Sequence, residues 1–182
     1  MSKNINLFEP FFKLDEKQEL ALKKLSNEKI YELLKMDFNE EQFVVLFALA
    51  WFNLEDDYMK NIENFYCESS KEKDYFLDIL HLGEKYMGKN IKFLLIKSYI
   101  FCTCDFYFWN DENTISDRFE IKERKILQEL YQKYSDEFAV CFFYILVNGT
   151  KKQMKKLQKN MQVQIKKLFP RNTELDKYFL MF

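Results

Sequence analysis

The sequence predicts an all-α protein, an irregular multi-helix bundle of about 8 to 10 helices in one domain over residues 1–182. Two observations support this fold class. Only three glycines and two prolines occur, too few for the frequent turns of a β protein. Apolar side chains also recur at helical spacing through most of the chain. A chain of this length buries about 70% of its unfolded surface, so the core needs neither a disulfide nor a metal.

The predicted elements follow from amphipathic runs and the polar residues that bound them, to within a few residues at each end. Residues 1–14 are expected to be an irregular arm carrying Phe8, Phe11 and Phe12, and 174–182 an apolar C-terminal segment. The predicted helices lie near 15–25, 27–36, 40–54, 57–69, 72–87, 90–108, 118–134, 136–148, 151–169 and 174–181.

Capping residues support these boundaries. The predicted N-caps are Ser26, Asn39 with Gln42, Ser135, Thr150 with Gln153, and Thr173. Gly88 and Gly149 each follow an amphipathic run, where glycine commonly ends a helix in the left-handed conformation. Both are therefore predicted to adopt that conformation.

A pairing of helix types recurs along the chain. A mixed amphipathic helix precedes one that is apolar on nearly every side, in the pairs 27–36 with 40–54, 72–87 with 90–108, and 118–134 with 136–148. The apolar members begin about 46 to 50 residues apart, close to the period of HEAT-type stacked hairpins. A bundle with three central helices accounts for the pattern as well, and is preferred because a solenoid exposes one face of each helix pair.

Composition restricts the class of protein. With 48% apolar and 31% charged residues the chain is typical of a globular protein with a charged surface. The N-terminus lacks an apolar signal region, and every long apolar run is short or interrupted by charge, so a cytoplasmic protein without membrane insertion is expected. The four cysteines are then predicted to be free thiols. Abundant Phe, Tyr, Ile, Lys and Asn, which have AT-rich codons, suggest a low-GC bacterium or phage.

Candidate metal and nucleophile residues give no recognisable site. His81 is the only histidine, on a predicted polar face with Asp74 and Asp78, and is interpreted as solvated. Cys102 and Cys104 lie two apart, which on a helix points them about 200° apart, so they cannot share an ion. Neither a cofactor nor a metal is predicted.

Three sets of acidic residues were considered as sites. Glu55, Asp56 and Asp57 are interpreted as favourable charges at the start of the helix after 40–54. The loop 110–117 does not match a calcium-binding loop. Asp105 lies in an apolar run, seven residues after Ser98, and is either a hydrogen-bonded structural acid or a site acid with a raised pKa.

The clearest asymmetry is a basic stretch that we call the lysine segment, 151–171. It holds eight basic residues and no acid, while 1–150 hold 19 basic and 27 acidic residues. Its apolar residues form one helical stripe, so the lysines are predicted to face outward. The predicted macromolecule-binding residues are Lys151, Lys152, Lys155, Lys156, Lys159, Lys166, Lys167 and Arg171.

The expected function is that of a non-enzymatic helical binding protein, such as a small bacterial or phage inhibitor, immunity or adaptor protein, with another protein as partner. The alternative is a nucleic-acid-binding protein that uses the lysine segment, and an enzyme at Asp105 and the 55–57 acids is a third class. A competing interpretation is a surface helix whose lysine face is solvated and binds no partner. The apolar ending is a possible docking or homo-oligomer interface: Tyr178, Phe179, Leu180, Met181 and Phe182.

Overall fold

The computed structural model describes residues 24–60, 71–103 and 117–156, and within them every regular element is a helix. The predicted all-α multi-helix bundle is therefore confirmed. The helices are α1 (Asn27–Met36), α2 (Glu40–Lys60), α3 (Lys71–Met87), α4 (Ile91–Thr103), α5 (Asp117–Lys133) and α6 (Phe138–Asn148). Residues 151–156 are also helical and are labelled α7.

Side-chain caps define three of the predicted helix starts. The Ser26 hydroxyl accepts a hydrogen bond from the Lys29 amide at 3.3 Å, and Asn39 Oδ1 accepts one from the Gln42 amide at 3.1 Å. At α7, Thr150 Oγ1 accepts from the Gln153 amide while Gln153 Oε1 accepts from the Thr150 amide, the two halves of a capping box. These three N-caps are confirmed, and Thr173 lies outside the described residues.

Two predicted boundaries are wrong. Helix α6 begins at Phe138 with Glu137 as its N-cap, and Ser135 lies in the preceding turn. Helix α2 does not end at residue 54 but continues to Lys60, so Glu55, Asp56 and Asp57 lie inside it and do not start a new helix. Acidic residues are weaker helix breakers than glycine or proline, and nothing stronger interrupts this stretch.

The predicted left-handed glycines are also wrong. Gly149 has φ −78° and ψ 151°, an extended conformation, and the φ of Gly88 lies outside the left-handed region too. Glycine is nevertheless required at 149, because a Cβ there would collide with the carbonyl oxygen of Ile145. The close approach of the chain to the end of α6 explains this residue.

The core is built around α2 and α4, two of the three nearly all-apolar helices predicted to be central. Every residue from 43 to 51 of α2 and from 95 to 101 of α4 is buried, so neighbouring helices cover both on all sides. Aromatic rings join them to α3: Phe47 lies 5.1 Å from Phe93 of α4 and 5.5 Å from Phe76 of α3, between ring centroids. The third helix predicted to be central, α6, is only half-buried from 144 to 147, so the prediction that it is covered on all sides is wrong.

Helix packing does not follow the stacked-hairpin alternative. Helix α3 packs mainly on α1 and α2, while α4 packs mainly on α5, so the successive helices α3 and α4 are not each other's principal neighbours. Helix α6 packs on α5 and α4. The HEAT-like arrangement is therefore not confirmed, and the irregular bundle describes the packing.

Candidate interaction surfaces

The start of the lysine segment lies on the surface. Lys151, Lys152, Lys155 and Lys156 are all exposed on the first two turns of α7, and Met154 between them is half-buried. The capping box at Thr150 fixes the start of the helix, which places Lys151 and Lys152 in its first turn. Positive charge is unfavourable there, by about 0.3–1 kcal/mol for each residue. These two lysines are therefore not explained by helix stability.

The rest of the predicted binding set lies outside the described residues. That applies to two groups: Lys159, Lys166, Lys167 and Arg171 of the lysine segment, and Tyr178, Phe179, Leu180, Met181 and Phe182 of the apolar ending.

Arg124 of α5 attaches the junction before α7 to the bundle. One of its guanidinium nitrogens, Nη1, donates to the carbonyl oxygen of Val147 at 2.7 Å and to Asn148 Oδ1 at 3.2 Å. A cation at the carboxyl end of α6 also complements the negative end of the helix dipole. Since Asn148 is only three residues before Lys151, this contact orients the chain as it enters α7.

A buried ionic cluster, which sequence analysis did not identify, joins α3, α4 and α5. The Lys97 ammonium lies 3.0 Å from Glu123 Oε1 and 3.3 Å from Glu84 Oε1, and the Ser98 hydroxyl donates to Glu123 Oε2 at 2.6 Å. The side chains of Lys97 and Glu123 are 5% and 0% exposed, so this charge pair is removed from water. A signal was present in the sequence, since Glu123 shares the helical face of Leu127 and Leu130.

The geometry of this cluster favours a structural role. Glu123 Oε1 accepts no hydrogen bond, so its contact with Lys97 is ionic only. Ser98 is fully buried, as is Glu123, and neither presents an atom to solvent. The cluster connects three helices through two ion pairs and two hydrogen bonds, one from Lys97 to Glu84 and one from Ser98 to Glu123.

A second polar network joins α1, α2 and α3 through Asn27, which is fully buried. Its Nδ2 donates to the carbonyl oxygens of Ala50 and Glu72, and its Oδ1 accepts from Asn53 Nδ2 at 3.0 Å. Because the amide is saturated with partners, its burial carries no penalty for unpaired groups. Nearby, the hydroxyl of Tyr75 donates to Glu28 at 3.0 Å, and this hydrogen bond raises the pKa of Tyr75.

The other residues considered in the sequence fall into three cases. His81 is exposed, with Asp74 and Asp78 also exposed on α3, as predicted. Cys102 and Cys141 are half-buried and form no disulfide. Cys104, Asp105, the loop 110–116 and Cys67 lie outside the described residues.

Three exposed apolar side chains were also not predicted from the sequence. Among the described residues the exposed large apolar side chains are Leu33, Met36 and Tyr86, at 39%, 84% and 52% of full exposure. The half-buried Phe38 lies beside Tyr86, with 4.9 Å between the two ring centroids. The contact of Phe38 with Tyr86 lies where the carboxyl ends of α1 and α3 meet.

Within 24–60, 71–103 and 117–156, no three His, Cys, Asp or Glu side chains are grouped closely enough to hold a metal ion. Over the same ranges, no helix combines the length and apolarity needed to span a membrane.

Comparison with known proteins does not extend this description: no protein-family model, curated protein or solved structure matches the chain.

Proposed function

We propose that the protein is a non-enzymatic helical binding protein whose lysine segment contacts an acidic surface of another protein. The concrete form of the proposal is a small inhibitor, immunity or adaptor protein of a low-GC bacterium or phage, acting in the cytoplasm. One observation carries it: Lys151, Lys152, Lys155 and Lys156 are exposed on a capped helix where two of them oppose the helix dipole. A charge placed against the local preference indicates a use for that charge.

The spacing of the exposed lysines in the lysine segment supports contact with a protein. Lys151 and Lys155, and likewise Lys152 and Lys156, are four residues apart and therefore lie about 5–6 Å apart along the helix. Carboxylates at the same spacing on a partner helix would face both members of a pair. Attraction between clustered opposite charges increases the rate of encounter more than the final affinity. Added salt should therefore weaken partner binding mainly by lowering the association rate.

The second candidate, nucleic-acid binding, is favoured by the same four exposed lysines on two consecutive turns. Each lysine that neutralises a phosphate releases a condensed counterion, so affinity would fall steeply with salt. No stacking contact to a base is required for this mode.

The test uses charge reversal with a matched control. Four lysines of the surface are changed in one variant, Lys151→Glu, Lys152→Glu, Lys155→Glu and Lys156→Glu. Four exposed lysines elsewhere are changed in the control, Lys71→Glu, Lys89→Glu, Lys125→Glu and Lys133→Glu. Both variants have the same net charge, so non-specific electrostatic effects should be equal.

The tagged proteins are then used to capture partners from host lysate, with and without nuclease. The proposal predicts a protein partner that survives nuclease, is lost with the first variant and is retained by the control. Loss of all captured material with nuclease, together with binding of a labelled oligonucleotide, would select the second candidate. Equal capture by both variants would leave the lysine surface without a role in binding.

A further inference from the structure

The connection between α6 and α7, residues 147–150, is attached to the bundle by Arg124 of α5. We call these residues the α6–α7 junction. Arg124 Nη1 donates to the carbonyl oxygen of Val147 at 2.7 Å and to Asn148 Oδ1 at 3.2 Å. One guanidinium nitrogen therefore holds the last two residues of α6, immediately before the chain turns into α7.

The second half of the junction is held by local contacts. The Gly149 amide donates to the carbonyl oxygen of Ile145 at 2.9 Å, and a Cβ at Gly149 would collide with that same oxygen. The amide and the hydroxyl of Thr150 donate to Gln153 Oε1 at 2.9 and 2.8 Å. The carbonyl oxygen of Thr150 accepts from the Met154 amide at 2.9 Å. Each junction residue thus makes a hydrogen bond, so these contacts set the direction in which α7 leaves the bundle.

Arg124 also changes the charge around the first exposed lysines. The carboxyl end of a helix carries a partial negative charge of about half an elementary charge. Helix α6 ends three residues before Lys151, so its negative end would offset part of the positive charge of Lys151 and Lys152. The Arg124 guanidinium, bound to a carbonyl oxygen at that end, counters this partial charge.

We propose that Arg124 is a positioning residue for binding by the lysine segment: it holds the α6–α7 junction so that the four exposed lysines of α7 are presented in one orientation to an acidic partner helix. This inference rests on the function proposed for the lysine segment and adds to it the residue that prepares the surface. A surface that is ordered before binding loses less conformational entropy when the complex forms, so its affinity is higher. Arg124 acts through the junction and not by contact with the partner.

The test uses a labelled helical peptide of about 18 residues with glutamates four residues apart, the spacing of the lysine pairs on α7. A second peptide with Gln in place of every Glu is the uncharged control. Association and dissociation rates with the immobilised full chain are measured by interferometry at several salt concentrations. The wild-type chain is expected to bind the acidic peptide and not the glutamine peptide, with an association rate that falls as salt is added.

Variants of the junction test the positioning role. Arg124→Met should weaken binding of the acidic peptide about tenfold, mainly through faster dissociation, since the lysines keep their charge but lose their fixed orientation. Arg124→Lys keeps the charge without the planar donor group, so its dissociation rate should lie between those of the wild type and Arg124→Met. Gly149→Ala should weaken binding by a similar factor with no change in net charge, because the added Cβ displaces the junction.

Lys125→Met is the matched control for charge. It removes one positive charge from the neighbouring position on α5, where the exposed Lys125 lies 4.0 Å from Glu129. Its dissociation rate should equal that of the wild type. Hydrogen exchange in α1 to α4 should be unchanged in Gly149→Ala, which keeps the inference testable even where Arg124→Met lowers the stability of the whole fold.

The outcomes separate this inference from the function on which it rests. Binding that is lost on reversal of the four α7 lysines to Glu, but is unchanged in Arg124→Met and Gly149→Ala, would overturn the inference and leave the proposed function standing. Equal losses in Arg124→Met and Lys125→Met would also overturn it, because the effect would then come from net charge. Binding that the lysine reversal does not weaken, or a wild-type chain that does not bind the acidic peptide, would remove the proposed function and this inference with it.

Discussion

The ammonium of Lys97 lies 3.0 Å from the carboxylate of Glu123, and the two side chains are 5% and 0% exposed. Lys97 is on α4 and Glu123 on α5, so this pair brings opposite charges together inside the contact between these two helices. Ionic pairs of this kind stabilise a fold only relative to an unpaired charge, because each ion has lost its hydration.

Removal of one partner should therefore be more harmful than removal of both. Glu123→Ala is expected to lower the free energy of unfolding by about 3–5 kcal/mol, since Lys97 would remain charged and buried. The double variant Lys97→Met with Glu123→Leu should be close to the wild type or more stable. Urea unfolding of Lys97→Met, of Glu123→Leu and of the double variant gives the coupling energy. A double variant as unstable as the sum of the singles would show that the two residues act independently.

Gly83 should not tolerate even one added methyl group. A Cβ at this position would lie 2.5 Å from Phe93 Cε2 and 2.8 Å from Phe43 Cζ, two fully buried rings. Gly83→Ala is expected to destabilise the protein by about 1–3 kcal/mol through overpacking, despite the better helix propensity of alanine. His81→Ala on the exposed face of the same helix is the control and should leave the melting temperature nearly unchanged. A more stable Gly83→Ala would mean that the rings can move apart.

The Cys141 thiol should react slowly in mildly alkaline solution. Burial raises its pKa above the ordinary value, the charges of Asp136 and Glu137 add to this, and the thiol donates to the carbonyl oxygen of Ser135 at 2.8 Å. Only the thiolate is a nucleophile, so pulse alkylation near pH 8.5, read out by peptide mass spectrometry, should label Cys141 more slowly than a model thiol. Rapid labelling in the folded protein would contradict this environment.

The same shift has a consequence for stability. A thiol whose pKa is raised by folding binds its proton more tightly in the native state, so it stabilises the protein below the unfolded pKa. That contribution is lost as the pH rises through the folded pKa. Cys141→Ser should therefore reduce the loss of stability on the alkaline side, as measured by urea unfolding across that range.

Arg124 should control how firmly α7 is attached to the bundle. Arg124→Met removes the hydrogen bonds to Val147 and Asn148 and the cation at the end of α6. The expected cost is about 1.5–3 kcal/mol for the loss of charged hydrogen bonds, with faster hydrogen exchange at the amides of 150–156. Arg124→Lys is the matched control, because it keeps the charge but not the planar donor group. Its stability and its exchange rates should lie between those of the wild type and those of Arg124→Met. Unchanged exchange in Arg124→Met would show that α7 is held by other contacts.

Local sequence patterns were sufficient to predict much of the fold of this protein. Few glycines and prolines and a regular apolar period predicted the all-α bundle, and the wholly apolar stretches in α2 and α4 predicted its buried centre. Ser26, Asn39 and Thr150 predicted helix starts correctly because an N-cap hydrogen bond spans only three residues. The exposure of the α7 lysines and of His81 was predicted from helical periodicity alone, because the face of a helix on which a residue lies depends on its spacing from residues a few positions away.

Tertiary contacts decided what local patterns could not. In the sequence, three polar residues each interrupt an apolar helix face: Lys97, Ser98 and Glu123. Only the packing of α4 on α5 shows that Glu123 pairs with the other two. The contact of Phe38 with Tyr86 likewise depends on which helix ends meet, a relation between residues 38 and 86 that no helical period contains. Gly149 is required by an approach to Ile145 that backbone preference did not reveal. In each case the deciding energy comes from groups far apart in sequence, because burial and charge pairing depend on distance in space.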